Sequence, residues 1–140
     1  MGYVVVSVNL MAVLASAIAS MVLGMIWYSP QVLGNAWMKE TGKKMLDMKK
    51  HMKDVHKSYA IMFVGALVMA YVMGHLTSYA GARTLMDGAM AGFWAWLGFA
   101  ATVMLGSTLF EGKSWNYYGI NAGYHLVQFL MVGAIMAVWL

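Results

Sequence analysis

The chain has 140 residues, of which 62% are hydrophobic and 10% charged, with a formal net charge of +4 and no cysteine. A soluble domain carries about 25% charged residues, so most of this surface does not meet water, and the length allows a single domain. The lack of cysteine excludes a disulfide framework, zinc–thiolate sites and iron–sulfur clusters.

The charge is not spread evenly. Lys39, Lys43, Lys44, Lys49, Lys50, Lys53 and Lys57 share one segment with only Glu40, Asp47 and Asp54, and that segment alone accounts for the whole net charge. Basicity placed this way is a topology signal and a contact for anionic lipid headgroups, not a nucleic-acid footprint.

Val4 to Tyr28 is uncharged and long enough to cross about 30 Å of hydrocarbon at roughly 1.5 Å per residue. It lacks the basic start of a signal peptide, so a retained span is expected. The span ends at Trp27-Tyr28-Ser29-Pro30, where two amphipathic rings suit the interface and proline stops a helix. Gln31 to Met38 is a short connection with a further interfacial tryptophan, Trp37. In the lysine-rich stretch that follows, Met45, Met48, Met52 and Val55 recur at three and four. This predicts an amphipathic helix over about 43–58 lying on the membrane surface and leading into the next span.

Tyr59 to Tyr79 is the second span and holds one ionisable residue, His75. A polar link with Arg83 and Asp87 leads to the third span, Gly88 to Phe110. Glu111 to Asn116 forms a turn carrying Trp115, another interface anchor. Tyr117 to Leu140 is the fourth span. Four spans put both termini on one side; the lysine-rich segment is expected in the cytoplasm and the termini outside, in the cell membrane. The fold class is therefore an all-α integral membrane protein of four transmembrane helices with a basic interfacial helix between the first two.

Small residues recur at intervals of four in every span: Ala12, Ser16, Ser20 and Gly24; Ala66, Ala70 and Gly74; Gly88 and Gly92, then Gly98, Thr102 and Gly106; Gly119 and Gly123. In lipid, helices associate by close packing, which such ladders permit. There are more small faces than one bundle needs, which points to a homo-oligomer.

Polar residues at membrane depth must be paired or face a cavity. Asn121, His125 and Gln128 share a face of the fourth span, flanked by Tyr118 and Tyr124. They line a solute or proton path, or they lock helices together through hydrogen bonds. Counting the rise per residue puts His125 about 12 Å and His75 about 24 Å from the lysine-rich end. Asn9 comes level with His75, so we pair those two and treat His125 with Gln128 as a second pair. The depth difference argues against haem ligation by the two histidines. Glu111 ends the third span where the helix dipole disfavours an anion, so a partner is expected in Lys113, Trp27, Trp115 or Tyr28.

Sixteen methionines invite a copper(I) reading through Met45, Met48, Met52, His51 and His56. Three of these already explain themselves as one apolar face, so no metal and no cofactor is expected. No triad, H-E-x-x-H or phosphate loop is present, and the two acids outside the lysine-rich segment, Asp87 and Glu111, sit at opposite faces. An enzyme is not expected.

Several stretches resemble the uncharacterised prokaryotic membrane family named domain of unknown function seventeen-sixty-one. They are Asn9–Ala12, Gly24–Pro30 with its W-Y-S-P, Gly34–Met38, Ala70–Leu76, Gly92–Phe99, Phe110–Lys113 with its E-G-K, and Ile120–His125. The resemblance implies a small four-helix integral membrane protein without a settled activity. It marks Asn9, Trp27, Tyr28, His75, Glu111, Asn121 and His125 as positions of the family pattern and supplies no chemistry for them. Two functions stay open: a small transporter or channel-like protein with a polar interior around His125, or a structural or accessory membrane protein.

Overall fold

The computed structural model describes residues 6–29, 31–41 and 52–139. All regular structure among them is helical: α1 (Leu10–Trp27), α2 (Gly34–Thr41), α3 (Met52–Tyr79), α4 (Leu85–Trp96), a π-helical turn (Leu97–Ala101), α5 (Thr102–Phe110) and α6 (Trp115–Val138). Four helical stretches are long and apolar enough to cross a membrane: Leu10–Trp27, His56–Tyr79, Leu85–Phe110 and Trp115–Val138.

Boundaries follow from local capping. The first helix starts at Leu10, not Val4, because Asn9 adopts an extended backbone and its Oδ1 accepts the amides of Met11 and Ala12, as a strong N-cap does. Thr84 caps α4 through the Asp87 amide, and Ser114 caps α6 through the Tyr117 amide. At the end of α3, Gly81 takes φ of +71°, while Ala82 N–H returns to Thr77 O and Gly81 N–H to Ser78 O. That closure satisfies the last carbonyls and turns the chain at a position where glycine carries no Cβ penalty.

Two expectations need correction. The stretch after Tyr28 is not only a connection, since Gly34–Thr41 forms α2. Of the surface helix expected over 43–58, residues 42–51 lie outside the described residues, and 52–58 open α3 without a break. The methionine face of Met45 and Met48 therefore falls outside the described residues.

Burial follows membrane logic, with small side chains inside and large apolar ones outside. On α1, Ala12, Ser16, Ala17 and Ser20 are buried while Leu10, Leu14, Ile18 and Val22 are exposed, the pattern expected where lipid replaces water around the bundle. α6 is the central helix and meets every other helix. It packs tightest on α4, where a Cβ on Gly92 would stand 2.1 Å from Phe129 O and one on Gly88 2.3 Å from Gly133 O. The buried core joins Ala12 and Val13, Ala70 and Met73, Ala95, and Val132 and Met136. It lies in the half of the bundle away from α2.

Candidate functional site

The half nearer α2 is looser. There α1, α2, α3 and α6 enclose a cavity of 610 Å³, lined by Met21, Gly24, Met25, Tyr28, Gly34, Trp37, Met38, Tyr59, Met62, Tyr117, Asn121 and Tyr124, with Ser29. A volume of a few hundred Å³ walled by apolar and aromatic groups with a few polar atoms is the usual form of a small-molecule site.

α2 is one wall, and its seat is set by Gly34. Gly34 N–H donates to Ser29 O at 2.8 Å and Leu33 N–H to Trp27 O at 3.1 Å, which folds the chain back sharply after α1. A Cβ on Gly34 would stand 2.2 Å from Tyr28 O, so only glycine fits. The far end of α2 is tied to α6: Ser114 and Asn116 donate to the two carboxylate oxygens of Glu40. These bonds, Ser114 first, hold the Glu40 carboxyl below the usual range, with Lys39 adding to them. A second cavity, 460 Å³, lies beside this tie and is lined by Lys39, Glu40, Trp115 and Asn116 among others.

Aromatic side chains join α1 to α6 at the cavity. Trp27 Nε1–H donates to Ile120 O at 2.9 Å, the Tyr28 hydroxyl donates to Asn121 Oδ1, and the Tyr124 hydroxyl donates to Ser20 O at 3.0 Å. The rings of Tyr28 and Trp37 meet edge-on with centroids 6.0 Å apart, and those of Tyr28 and Tyr124 lie 5.5 Å apart.

The fourth-span residues share one face of the unbroken α6 but divide between two surroundings. Gln128 is buried and its side-chain amide lies 2.9 Å from His125 Nδ1. This expected pair forms. Asn121 and Tyr124 line the cavity, whereas His125 and Gln128 are not among its lining residues; the link is the Tyr124–His125 ring contact at 4.9 Å.

The Asn9–His75 pair does not form. Asn9 is spent on capping α1, and His75 Nδ1 bonds Tyr71 O at 3.0 Å while its ring sits between Tyr71 and Tyr79. Glu111 is exposed at the end of α5 and has no ion pair among the described residues. Trp27 and Tyr28 are committed to α6, and Lys113 Nζ lies 5.4 Å over the Tyr117 ring. Trp115 is exposed and packs edge-on against Tyr118.

Sequence reasoning passed over Glu40, hidden among lysines, although a carboxylate near a helix N-terminus is a favourable arrangement. It also passed over the role of Trp96, whose indole donates to Ala122 O, and it placed Tyr118 beside the polar face without foreseeing that its hydroxyl donates to Ala101 O in the π-turn. Among the described residues no group of His, Asp and Glu is placed to hold a metal ion.

A family profile described as Protein of unknown function (DUF1761) matches residues 11–137. The chain belongs to this family. Comparison with curated proteins and with solved structures finds no match. Membership in DUF1761 agrees with four apolar helices and assigns no role to the cavity.

Proposed function

We propose that this DUF1761 protein is a non-catalytic membrane protein that binds a small amphipathic molecule in the cavity between α1, α2, α3 and α6. The observation that carries this reading is the cavity itself: 610 Å³, apolar and aromatic on its walls, with Tyr28 and Asn121 as its polar centre. The lysine-rich segment faces the cytoplasm in this reading and contacts anionic headgroups, with both termini outside. Self-association belongs to the same reading. Gly98, Gly106 and Gly119 have open space where a Cβ would stand, and α5 buries no residue.

The test is retention of ligand. Protein extracted gently and examined by native mass spectrometry is expected to carry a small amphiphile, and Gly24→Phe, which fills the cavity beside Tyr124, is expected to lose it. Equal retention by both forms at the level of bulk lipid overturns the reading.

A second reading, passage of a solute or proton along α6, draws support from the Tyr124–His125 contact, which links the cavity to the buried Gln128. Flux in liposomes separates the two. Flux abolished by His125→Ala with folding preserved favours passage. No flux above empty liposomes, with His125→Ala only lowering thermal stability, leaves the His125–Gln128 pair as a helix-locking contact.

A further inference from the structure

Hydrogen-bond satisfaction at the cavity narrows the chemistry of its occupant, and this step rests on the binding reading above. An asparagine amide offers one oxygen that accepts and two N–H hydrogens that donate. Asn121 Oδ1 is taken by the Tyr28 hydroxyl, and its two N–H groups have no partner among the described residues. Exchanging the amide's oxygen and nitrogen changes little. Nδ2 would then donate to the Tyr28 oxygen, and the Tyr28 hydroxyl hydrogen would need an acceptor instead. In either arrangement the pair has a donor left over at the cavity wall. The Tyr117 and Tyr59 hydroxyls, also on the lining, make no hydrogen bond to a described residue. Tyr124 is the exception, already donating to Ser20 O. No carboxylate is among the lining residues; Glu40 belongs to the neighbouring cavity.

The surroundings point the same way. Residues 39–57, from the end of α2 to the start of α3, carry the chain's whole net charge of +4, and the exposed Lys39 and Lys57 flank the cavity's helices. Tyrosine and tryptophan at this end sit at headgroup level, the depth of acyl carbonyls in a bilayer. A cationic head would find aromatic faces but would meet unpaired donors, with the exposed Lys39 and Lys57 on the neighbouring helices.

We propose that the cavity takes the oxygen-bearing head of an acyl chain, a carboxylate or ester whose oxygens accept from the Asn121–Tyr28 pair and Tyr117. The chain itself runs along Met21, Met25 and Met62. The source is either a free fatty acid or a bilayer phospholipid.

Tryptophan quenching by bromine-labelled chains tests this in reconstituted full-length protein. The signal is the part of the emission removed by Trp37→Phe, since Trp37 lines the cavity. Three probes are compared: dibromostearate in unlabelled phosphatidylcholine vesicles, vesicles of phosphatidylcholine carrying the dibrominated chain, and a dibrominated alkyltrimethylammonium of equal length. Dibromostearate is expected to quench saturably, and Asn121→Leu or Tyr117→Phe to raise its half-saturation about tenfold, the scale of one lost hydrogen bond to a charged acceptor. Full quenching of the Trp37 signal by the labelled phospholipid, relieved by Asn121→Leu, supports the same head chemistry with bilayer lipid as its source. Tighter binding of the ammonium probe, or carboxylate binding untouched by both variants, overturns the acyl-oxygen assignment while the cavity stands. Saturable quenching by none of the three removes the binding reading as well.

Discussion

Ser20 is 1% exposed and its Oγ is the one buried side-chain oxygen or nitrogen among the described residues without a partner. Its carbonyl receives the Tyr124 hydroxyl, so the useful contact is made by the backbone. An unsatisfied buried hydroxyl costs about 1–3 kcal/mol. Ser20→Ala is therefore expected to raise thermal stability in detergent, whereas Tyr124→Phe, which strips the bond to Ser20 O, is expected to lower it by about 1 kcal/mol. A loss of stability in Ser20→Ala would mean that the hydroxyl has a partner after all. Glu40 gives a pH signature. Its folded pKa is held below the ordinary 4.5 by Ser114 and Asn116, so the tie between α2 and α6 contributes fully above that pH. The contribution is lost as pH falls through the lowered value. Trp37 emission, reporting on α2, is expected to shift on acidification below the ordinary 4.5 in the wild type. In Glu40→Gln it should stay flat, and an equal shift in both places the titration elsewhere. At this scale the sequence was legible where two polar residues share one helix turn, as His125 and Gln128 do. It misled at Asn9, because matching residues across helices by depth ignores the pull of an unpaired helix N-terminus on an asparagine.

Glycine ladders on different helices look alike in sequence and do different things in the bundle. Gly88, Gly92 and Gly133 let α4 and α6 approach until a single methyl would overlap backbone, while Gly98 and Gly106 meet nothing within 4 Å. The π-turn at Leu97–Ala101 begins between the two sets and contains Gly98. Above it α4 presses on α6; below it α5 has no buried residue. A helix-period reading cannot foresee a π-turn, whose extra residue re-phases everything after it, so both parts of the ladder were read on one unbroken third span. Gly92→Ala is expected to cost at least the 1–3 kcal/mol typical of overpacking, read as a lowered midpoint of thermal unfolding in detergent. Gly98→Ala should be neutral in a monomer. If both variants unfold alike, the tight approach of α4 to α6 is wrong; if Gly98→Ala alone weakens an oligomer, the α5 side is the contact between copies. The four spans, by contrast, were legible from apolar length alone, since any backbone crossing lipid must close its own hydrogen bonds. α2 escaped notice because it is short and polar and is held by Gly34 and Glu40 rather than by an apolar stripe.

The molecule divides along the membrane normal. One half is a close-packed core of alanines, Val132, Met73 and Met136; the other opens into the cavity under α2. The exposed Lys39 on α2 and Lys57 near the start of α3 belong to the open half, so these charges and the cavity share one end of the bundle. The proposal that this end is cytoplasmic rests on the positive-inside rule: short loops rich in lysine are retained in the cytoplasm, and the other short loop at the opposite end, between α3 and α4, carries only Arg83 and Asp87 close to it. In the topology proposed above, the cavity opens toward the cytoplasmic leaflet. Because the chain has no cysteine, single cysteines report topology without background. Arg83→Cys and Lys57→Cys both replace exposed residues, at opposite ends of α3 and its following turn. In intact cells a membrane-impermeant maleimide is expected to label Arg83→Cys at once and Lys57→Cys only after lysis. The reverse pattern would move the cavity to the outer leaflet. An occupant would then have to arrive from outside the cell, and the lysines would face a surface poorer in the anionic lipid that their clustering suits.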